Sequence, residues 1–238
     1  GFVALIGEPN AGKSTLTNRM VGAKVSIVTH KVQTTRARIR GVAIEGDAQI
    51  VFVDTPGLFQ PRRRLDRAMV AAAWSGVADA DISVLLIMIS AEKGHGVQDL
   101  REWLAGEMPE GPWLYPEDQI ADLPMRMIAA EITREKLTLR LHQELPYQMT
   151  VETEAWDDRK DGSARIDQMI YVMRDGHKGI VLGNKGETIK AIGKAAREEL
   201  EEFLGRKVHL FLQVKVRQNW LEESERYSEM GLNFKDGN

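Results

Sequence analysis

The sequence lacks cysteine altogether, although it runs to 238 residues. That absence excludes disulfide bonds and thiolate metal sites, and it favours a reducing compartment, so we expect a cytoplasmic protein. The five histidines show no ligand spacing, and we expect no zinc site. No apolar run is long enough to cross a bilayer and no charged leader comes first, so we predict neither a transmembrane segment nor a signal peptide. The formal net charge of −3 excludes a globally basic chain, so any nucleic-acid surface must be local.

Residues 7–14, which read G-E-P-N-A-G-K-S, predict a phosphate-binding loop. They lie between the apolar run Phe2–Ile6 and a helical pattern that begins at Thr15, which is the strand, loop and helix context that such a loop requires. Its backbone N–H groups are expected to wrap phosphates at a helix N-terminus, with Lys13 reaching the β- and γ-phosphates and Ser14 ligating Mg²⁺. The chain is therefore expected to bind a nucleoside triphosphate. The predicted contacts from the loop are Gly7, Glu8, Pro9, Asn10, Ala11, Gly12, Lys13, Ser14 and Thr15.

Two segments downstream of the loop carry further candidates for the nucleotide site. The motif D-T-P-G starts at Asp54 directly after a predicted strand, so its carboxylate can hold Mg²⁺ through water and the N–H of Gly57 can sense a γ-phosphate. Residues 29–36 are polar and aperiodic, which suits a loop that orders when a threonine meets Mg²⁺ and the γ-phosphate. Thr34 and Thr35 are the candidates for that contact. The predicted metal ligands are Ser14, Thr35 and Asp54.

The chain is predicted to form two domains, because its length exceeds the usual size of one domain and 43% hydrophobic residues suffice for two cores. The aperiodic, proline-bearing stretch Gly111–Pro116 marks the boundary, which assigns residues 1–112 to the first domain and 117–238 to the second. The first domain alternates β-rich and helical segments and is predicted to be α/β with a mixed, mostly parallel sheet. The turn Gly46-Asp47 suits a hairpin and makes one strand antiparallel. The candidate strands are Phe2–Ile6, Gln49–Val53 and Ile82–Ile87, and Leu65–Gly76 is a candidate helix.

The second domain is predicted to be a smaller α+β unit. The predicted elements are a helix over 124–144, a hairpin of strands over 149–156 and 164–173, helical segments over 188–191 and 194–204, and a strand over 209–216. This order of elements agrees with the type II arrangement of KH domains.

A G-x-x-G loop over 183–186 lies between apolar residues and resembles the signature of RNA-binding KH domains. Such domains clamp about four nucleotides beside the loop, where glycines allow phosphates to approach the backbone. Single-stranded RNA is therefore the expected ligand. The predicted RNA contacts are Ile180, Gly183, Asn184, Lys185, Gly186, Ile189 and Lys190.

Taken together, the motifs resemble the Era family of ribosome-assembly GTPases. G-E-P-N-A-G-K-S, Q-T-T-R, D-T-P-G and S-A-E-K-G stand in the family's order, and the resemblance continues past the linker over nearly the whole chain. It implies GTP or GDP with Mg²⁺ as cofactors, guanine contacts from Ser90, Ala91 and Glu92, and hydrolysis of GTP. It also implies the 3′ end of small-subunit ribosomal RNA and a 30S-type subunit as partners. Peripheral association with the inner membrane is a further hypothesis from the resemblance.

The residue after the D-T-P-G motif bears on the rate of hydrolysis. Ras-like enzymes place a glutamine there to orient the attacking water, whereas Leu58 cannot hydrogen-bond a nucleophile, so slow intrinsic turnover is expected. The resemblance gives Asn10, as a hypothesis, the role of ligating a K⁺ that replaces the charge of an arginine finger. The predicted catalytic residues are Lys13, Thr35, Gly57 and Asn10. The alternative function is a nucleotide-sensing RNA-binding protein with negligible catalysis.

The sequence contains a discontinuity between Ile87 and Met88. Ile82–Ile87 is predicted as a buried strand, and residues 88–91 follow at once as another strand end. Neighbouring parallel strands need a crossover of a dozen or more residues. We therefore hypothesise that residues are absent between positions 87 and 88, among them a helix, a strand and the N-K-x-D motif that recognises guanine in the family.

Overall fold

The computed structural model describes residues 1–29, 31, 34–36, 38–86, 96–142, 145–230 and 232–237. The chain divides into two compact units: unit 1 consists of Gly1–Leu123 with Leu221–Asn238, and unit 2 of Pro124–Trp220. These bounds differ from the predicted domains 1–112 and 117–238. Unit 1 keeps the segment after the predicted boundary, and it also includes the C-terminal segment that we expected in the second domain. The discontinuity proposed between Ile87 and Met88 lies outside the described residues.

Unit 1 is an α/β unit that contains one β-sheet and several helices. Its elements are β1 (Phe2–Gly7), α1 (Lys13–Val21), β2 (Ile39–Glu45), β3 (Ala48–Asp54), α2 (Arg64–Ala78), β4 (Ile82–Leu86) and α3 (Val97–Glu107). Within the described residues the strand order is β2-β3-β1-β4, with β1 parallel to both neighbours and β2 antiparallel to β3. The mixed, mostly parallel sheet and the hairpin are therefore confirmed.

The central position of β1 explains its apolar sequence and places the candidate site. Val3, Ala4 and Leu5 have no exposed surface, as expected for a parallel strand with a neighbour on each side. Leu5 is in register with Asp54 of β3. The phosphate-loop candidate after β1 and the D-T-P-G motif after β3 therefore leave the sheet at the same edge.

Residues 120–122, which follow the predicted domain boundary, pair with the outer edge of β2. The N–H of Val42 donates to the carbonyl of Ile120, and the N–H of Asp122 donates to the carbonyl of Arg40, both at 3.0 Å. An edge strand otherwise leaves such groups unpaired. This pairing is the physical reason that unit 1 extends beyond residue 112.

Unit 2 is an α+β unit, as predicted. Its elements are α4 (Met125–Arg140), β5 (Met149–Asp158), β6 (Ala164–Val172), α5 (Asp175–Leu182), α6 (Glu187–Leu204) and β7 (Val208–Val216). The sheet has the order β5-β6-β7, in which β5 is antiparallel and β7 parallel to β6. A further short helix, α7 (Ser224–Glu229), follows in the part of the chain that belongs to unit 1.

Two helices of unit 2 differ from the sequence-based prediction. α4 ends at Arg140 because Leu141 takes an extended conformation, so it is shorter than the predicted 124–144. α6 is one helix, whereas two segments were predicted on either side of Gly193. A Cβ on Gly193 would lie 3.4 Å from Leu212 of β7, so this glycine serves close helix–sheet packing and does not interrupt the helix.

Candidate functional site

The loop between β1 and α1 borders a cavity of about 110 Å³. Gly12 (φ 90°) and Asn10 (φ 64°) lie in the left-handed region, which glycine enters freely and asparagine tolerates better than most residues. α1 begins at Lys13, so the cavity lies at a helix N-terminus, where unpaired N–H groups favour an anion. The predicted contacts that line it are Pro9, Asn10, Gly12, Lys13, Ser14, Thr15, Thr34, Thr35 and Gly57.

The side chain of Lys13 reaches back across residues 7–12 of the loop. Its Nζ donates to the carbonyl of Glu8 at 2.8 Å and to the carbonyl of Gly7 at 3.2 Å. The side chain is buried, and burial lowers the pKa of Lys13, while the negative charge of Asp54 acts in the opposite direction. The loop carbonyls therefore hold an ammonium group at the cavity, in reach of an anion that enters it.

Hydroxyl groups converge on the carboxylate of Asp54. Ser14 Oγ donates to Asp54 Oδ2 at 2.7 Å, and Ser14 Oγ also lies 2.9 Å from Thr35 Oγ1. Ser26 Oγ donates to the same Oδ2 at 2.8 Å. Burial raises the pKa of Asp54, while the hydrogen bonds from the two serines and the charge of Lys13 oppose that shift.

The chemistry of this cluster fits Mg²⁺. Hydroxyl and carboxylate oxygens are the hard ligands that this cation prefers. Oδ1 of Asp54 is buried and has no hydrogen-bond partner among the residues that the structure describes. A buried acceptor without a partner is costly, and a cation at that position would satisfy it. The residues that the sequence predicted as metal ligands, Ser14, Thr35 and Asp54, are thus brought together.

The structure separates the two threonine candidates. Thr34 Oγ1 bonds within its own loop, at 2.6 Å to the carbonyl of Lys31 and at 2.6 Å to Thr29 Oγ1. Thr35 is buried and turns its hydroxyl towards Ser14. Of the pair, Thr35 lies at the oxygen cluster around Asp54.

Gly57 lies against the loop at residues 7–14. A Cβ on Gly57 would be 2.7 Å from the backbone nitrogen of Pro9, so only glycine allows this approach. The N–H of the next residue, Leu58, donates to the carbonyl of Gly7 at 3.0 Å. Both segments predicted to meet the γ-phosphate are therefore closed on the cavity, one through Thr35 and one through Gly57.

Ser26 is a member of the cluster that the sequence did not reveal. Its position depends on Asn18 of α1, whose side chain accepts from the N–H groups of Val25 and Ser26 and donates to the carbonyl of Ser26 at 2.7 Å. A single serine in an aperiodic segment carries no motif, so no local signal could have found it.

The G-x-x-G segment of unit 2 forms the turn between α5 and α6. Gly183, Lys185 and Gly186 have φ values of 71°, 49° and 79°. A Cβ on Gly183 would lie 2.7 Å from the Cβ of Thr188, so the position requires glycine for space as well as for conformation. The turn leaves Asn184 and Lys185 exposed at the N-terminus of α6.

The remaining predicted RNA contacts have two kinds of environment. Ile180 is 55% exposed and Lys190 is exposed, so both are available to a ligand. Ile189 is partly buried and packs against the core of unit 2. The predicted guanine contacts Ser90, Ala91 and Glu92 lie outside the described residues.

Comparison with known proteins decides the family. A family model described as 50S ribosome-binding GTPase matches residues 2–112, and one described as KH domain matches residues 144–221. GTPase Era of Dinoroseobacter shibae is 67% identical over 297 aligned positions, which cover 100% of this chain and 96% of that relative. The chain belongs to the Era family of GTPases.

Solved structures of Era agree with this assignment. A crystal structure of Era with MgGDPNP and nucleotides 1506–1542 of 16S ribosomal RNA matches with a TM-score of 0.90 at 34% identity, covering 97% of this chain and 98% of the other. A variant of Aquifex aeolicus Era bound to GDP·AlF₄⁻ matches with the same TM-score, identity and coverage.

Membership of the Era family confirms the predicted family, fold class and enzyme class. The chain is a P-loop GTPase with a KH domain, so the alternative of a nucleotide sensor with negligible catalysis is dropped. The predicted nucleotide and Mg²⁺ are those that the Era structure holds as MgGDPNP. No helix in the described ranges has the length and apolar character needed to span a membrane.

Proposed function

We propose that this Era-family GTPase is a GTP-dependent switch that binds the single-stranded 3′ end of small-subunit ribosomal RNA and assists assembly of the small subunit in the cytoplasm. The observation that carries the proposal is the presence, in one chain, of the oxygen cluster at Asp54 and the exposed G-x-x-G turn. The Era structure that holds MgGDPNP and a 16S ribosomal RNA segment together supports this pairing of ligands.

In unit 1 we assign GTP to the cavity at the N-terminus of α1. The backbone of residues 7–15 cradles the phosphates, and Lys13 neutralises the β- and γ-phosphate oxygens. Ser14, Thr35 and Asp54 hold Mg²⁺, which when bound neutralises charge on the phosphates. The N–H of Gly57 faces the γ-phosphate, and Ser90, Ala91 and Glu92 contact guanine.

Hydrolysis proceeds slowly without an activator in this proposal. Leu58 has no side-chain group that could orient water, and its N–H is used by the carbonyl of Gly7. Asn10 lines the cavity in a left-handed conformation and carries a side-chain amide oxygen, a type of atom that can ligate a cation. We propose that this oxygen ligates K⁺, whose charge acts where an arginine finger would otherwise act.

In unit 2 we assign the RNA backbone to the G-x-x-G turn. Gly183 and Gly186 allow phosphates to approach, Asn184 and Lys185 donate to them, and Lys190 adds a second positive charge. Ile180 and Ile189 provide an apolar surface for bases. The assembly partner is a 30S-type subunit, and peripheral association with the inner membrane remains a hypothesis from the family resemblance.

We further propose that the natural protein has a segment between Ile87 and Met88. β4 pairs with β1 alone among the described residues, and the side chain of Leu85 is 60% exposed, as expected of a parallel sheet whose face lacks a covering helix. The alignment with the Dinoroseobacter relative spans 297 positions against the 238 residues here. The intact mass of the protein from its natural source should therefore exceed 26.7 kDa, and a mass of 26.7 kDa would contradict this proposal.

An RNA titration tests the proposed function. We expect labelled RNA that ends in the 3′ small-subunit sequence to bind more tightly with a non-hydrolysable GTP analogue than with GDP. Gly183→Asp should weaken RNA binding at least about tenfold, because a carboxylate opposes the phosphates and the added side chain meets Thr188. Gly106→Asp, which makes the same change in α3 where a Cβ meets nothing within 4 Å, is the matched control. Equal affinity of wild type and Gly183→Asp would refute the RNA assignment.

A further inference from the structure

The described C-terminal residues 221–230 and 232–237, here called the C-terminal clasp, pack against the first turns of α2. The Nε atom of Arg67 donates to the carbonyl of Gly237 at 2.8 Å. The guanidinium of Arg64 lies 4.4 Å from the centroid of the Phe234 ring, within the range of a cation–π contact. The clasp therefore holds the end of α2 that follows the D-T-P-G motif in the sequence.

The clasp has a small core of its own. Tyr227 is 1% exposed, and its ring meets that of Phe234 edge-on, with the centroids 5.0 Å apart. The Tyr227 hydroxyl donates to the carbonyl of Leu221 at 2.8 Å, and the N–H of Leu232 donates to the carbonyl of Tyr227 at 2.7 Å. Leu232 is also buried. These contacts give the clasp internal packing of its own, and they hold the Phe234 ring in place against Arg64.

Charge explains why the start of α2 depends on contacts from outside the helix. Arginines occupy positions 62, 63, 64 and 67, at the helix end where the dipole is already positive. Asp66 accepts from the N–H groups of Arg62 and Arg63 at 3.1 and 3.0 Å. From the clasp, Glu222 pairs with Arg64 at 3.1 Å. The clasp thus contributes an anion and a carbonyl to a turn that is rich in cations.

Gly57 and this helix end lie close together along the chain. Leu58–Arg63 connects Gly57 to α2, and Leu58 is bonded to the phosphate-binding loop at one end of the connection. At the other end the chain enters the turn held by Phe234 and Gly237. With both ends fixed, the short connection has little freedom to carry Gly57 away from the cavity.

We propose that the C-terminal clasp is a positioning element for nucleotide discrimination. By holding the first turn of α2, it favours the arrangement in which Gly57 lies against the loop, and it thereby raises the affinity for the triphosphate relative to the diphosphate. Phe234 and Gly237 are positioning residues that act through Arg64 and Arg67. The inference rests on the proposed GTP site, which it deepens, and it requires no RNA.

The test compares the affinities of GDP and a non-hydrolysable GTP analogue, with Mg²⁺, in the full chain. Phe234→Ala removes the ring under Arg64. Gly237→Ala adds a Cβ that would lie 2.9 Å from the carbonyl oxygen of Arg64, which forces the clasp away from the helix backbone. In both variants we expect the ratio of analogue affinity to GDP affinity to fall about fivefold while GDP affinity is unchanged, since one cation–π contact or one hydrogen bond is lost.

Control variants separate positioning from general stability. Lys235→Ala alters an exposed neighbour of Phe234 and should leave the ratio unchanged. Phe234→Tyr keeps a ring under Arg64 and should restore the ratio. Gly57→Ala gives the reference loss of discrimination, and thermal unfolding reports whether each variant folds. A ratio unchanged in both Phe234→Ala and Gly237→Ala, or an equal loss of affinity for the two nucleotides, would overturn the proposal.

Discussion

The Oγ atom of Ser14 lies 2.7 Å from Oδ2 of Asp54, which joins the first residues of α1 to the end of β3. These residues are 40 positions apart in the sequence, and they meet because β1 and β3 are parallel neighbours. The contact leaves Oδ1 of the same carboxylate buried without a partner among the described residues. The cluster therefore presents a buried oxygen that a cation would satisfy.

Ser14→Ala should reduce the gain in nucleotide affinity that Mg²⁺ provides. The change removes a hydroxyl ligand together with its contacts to Asp54 and Thr35, so we expect a loss of about tenfold or more in the Mg²⁺-dependent part of the affinity. Titrations with Mg²⁺ and with EDTA measure that part. Ser14→Thr keeps the hydroxyl and is the matched control. Equal dependence on Mg²⁺ in wild type and Ser14→Ala would remove Ser14 from the metal site.

GTP hydrolysis should be faster in KCl than in NaCl at equal ionic strength. We expect about a tenfold difference, below the 10³–10⁵ that an arginine finger contributes. Asn10→Gly tolerates the left-handed conformation but lacks the amide oxygen, so it should abolish the difference. Asn184→Ala in unit 2 should leave it unchanged. Phosphate release under multiple turnover is the measurement, and equal rates of wild type in the two salts would contradict the role of K⁺.

Gln49→Ala should release the segment that follows α3. The Gln49 side chain accepts from the N–H groups of Leu114 and Tyr115 at 2.8 and 3.0 Å and donates to the carbonyl of Tyr115 at 2.8 Å. Loss of these partners should lower the free energy of unfolding by about 2–4 kcal/mol. Urea titration measures the loss, and limited proteolysis should find new cleavage over 113–116. Gln98→Ala, at an exposed position of α3, should behave as wild type.

The C-terminal clasp should lose stability at alkaline pH. Burial, assisted by the negative charge of Glu222, raises the pKa of Tyr227 from 10.0 to about 12. Above pH 10.0 the unfolded chain loses this proton while the folded chain keeps it, so the free energy of unfolding falls as pH rises towards about 12 and is unaffected by this group below 10.0. Urea titrations of wild type and Tyr227→Phe across this range measure the effect. Identical pH slopes for the two proteins would contradict it.

The phosphate-binding loop and Asp54 could be predicted from sequence, because the geometry of each is set by a few neighbouring residues. The spacing in 7–14 fixes a loop at the start of a helix, which places Lys13 and Ser14 at one cavity. The carboxylate of Asp54 follows from its place at a strand end. Thr34 and Thr35 could not be separated, because adjacent residues in an aperiodic loop differ only in which hydroxyl the fold turns inward.

Other features could not be predicted because they join residues that lie far apart in the chain. Ser26 reaches Asp54 through a turn that the side chain of Asn18 holds. Gln49 holds a segment 65 positions away, inside the proline-bearing stretch, and the pairing of Val42 with Ile120 carries unit 1 beyond that stretch. Neither side chain belongs to a pattern with a helix or strand period.

The amino-acid sequence alone determined the fold class, the family, the phosphate-binding loop and the KH turn, since each follows from spacing within a short stretch and from backbone conformations that glycine permits. The tertiary structure alone decided which threonine turns towards Ser14 and Asp54 and that the C-terminal clasp packs on α2. Those outcomes depend on burial and on hydrogen bonds between residues far apart in the sequence. The stabilising free energy of such contacts comes from surfaces that meet only after the sheet and helices have formed.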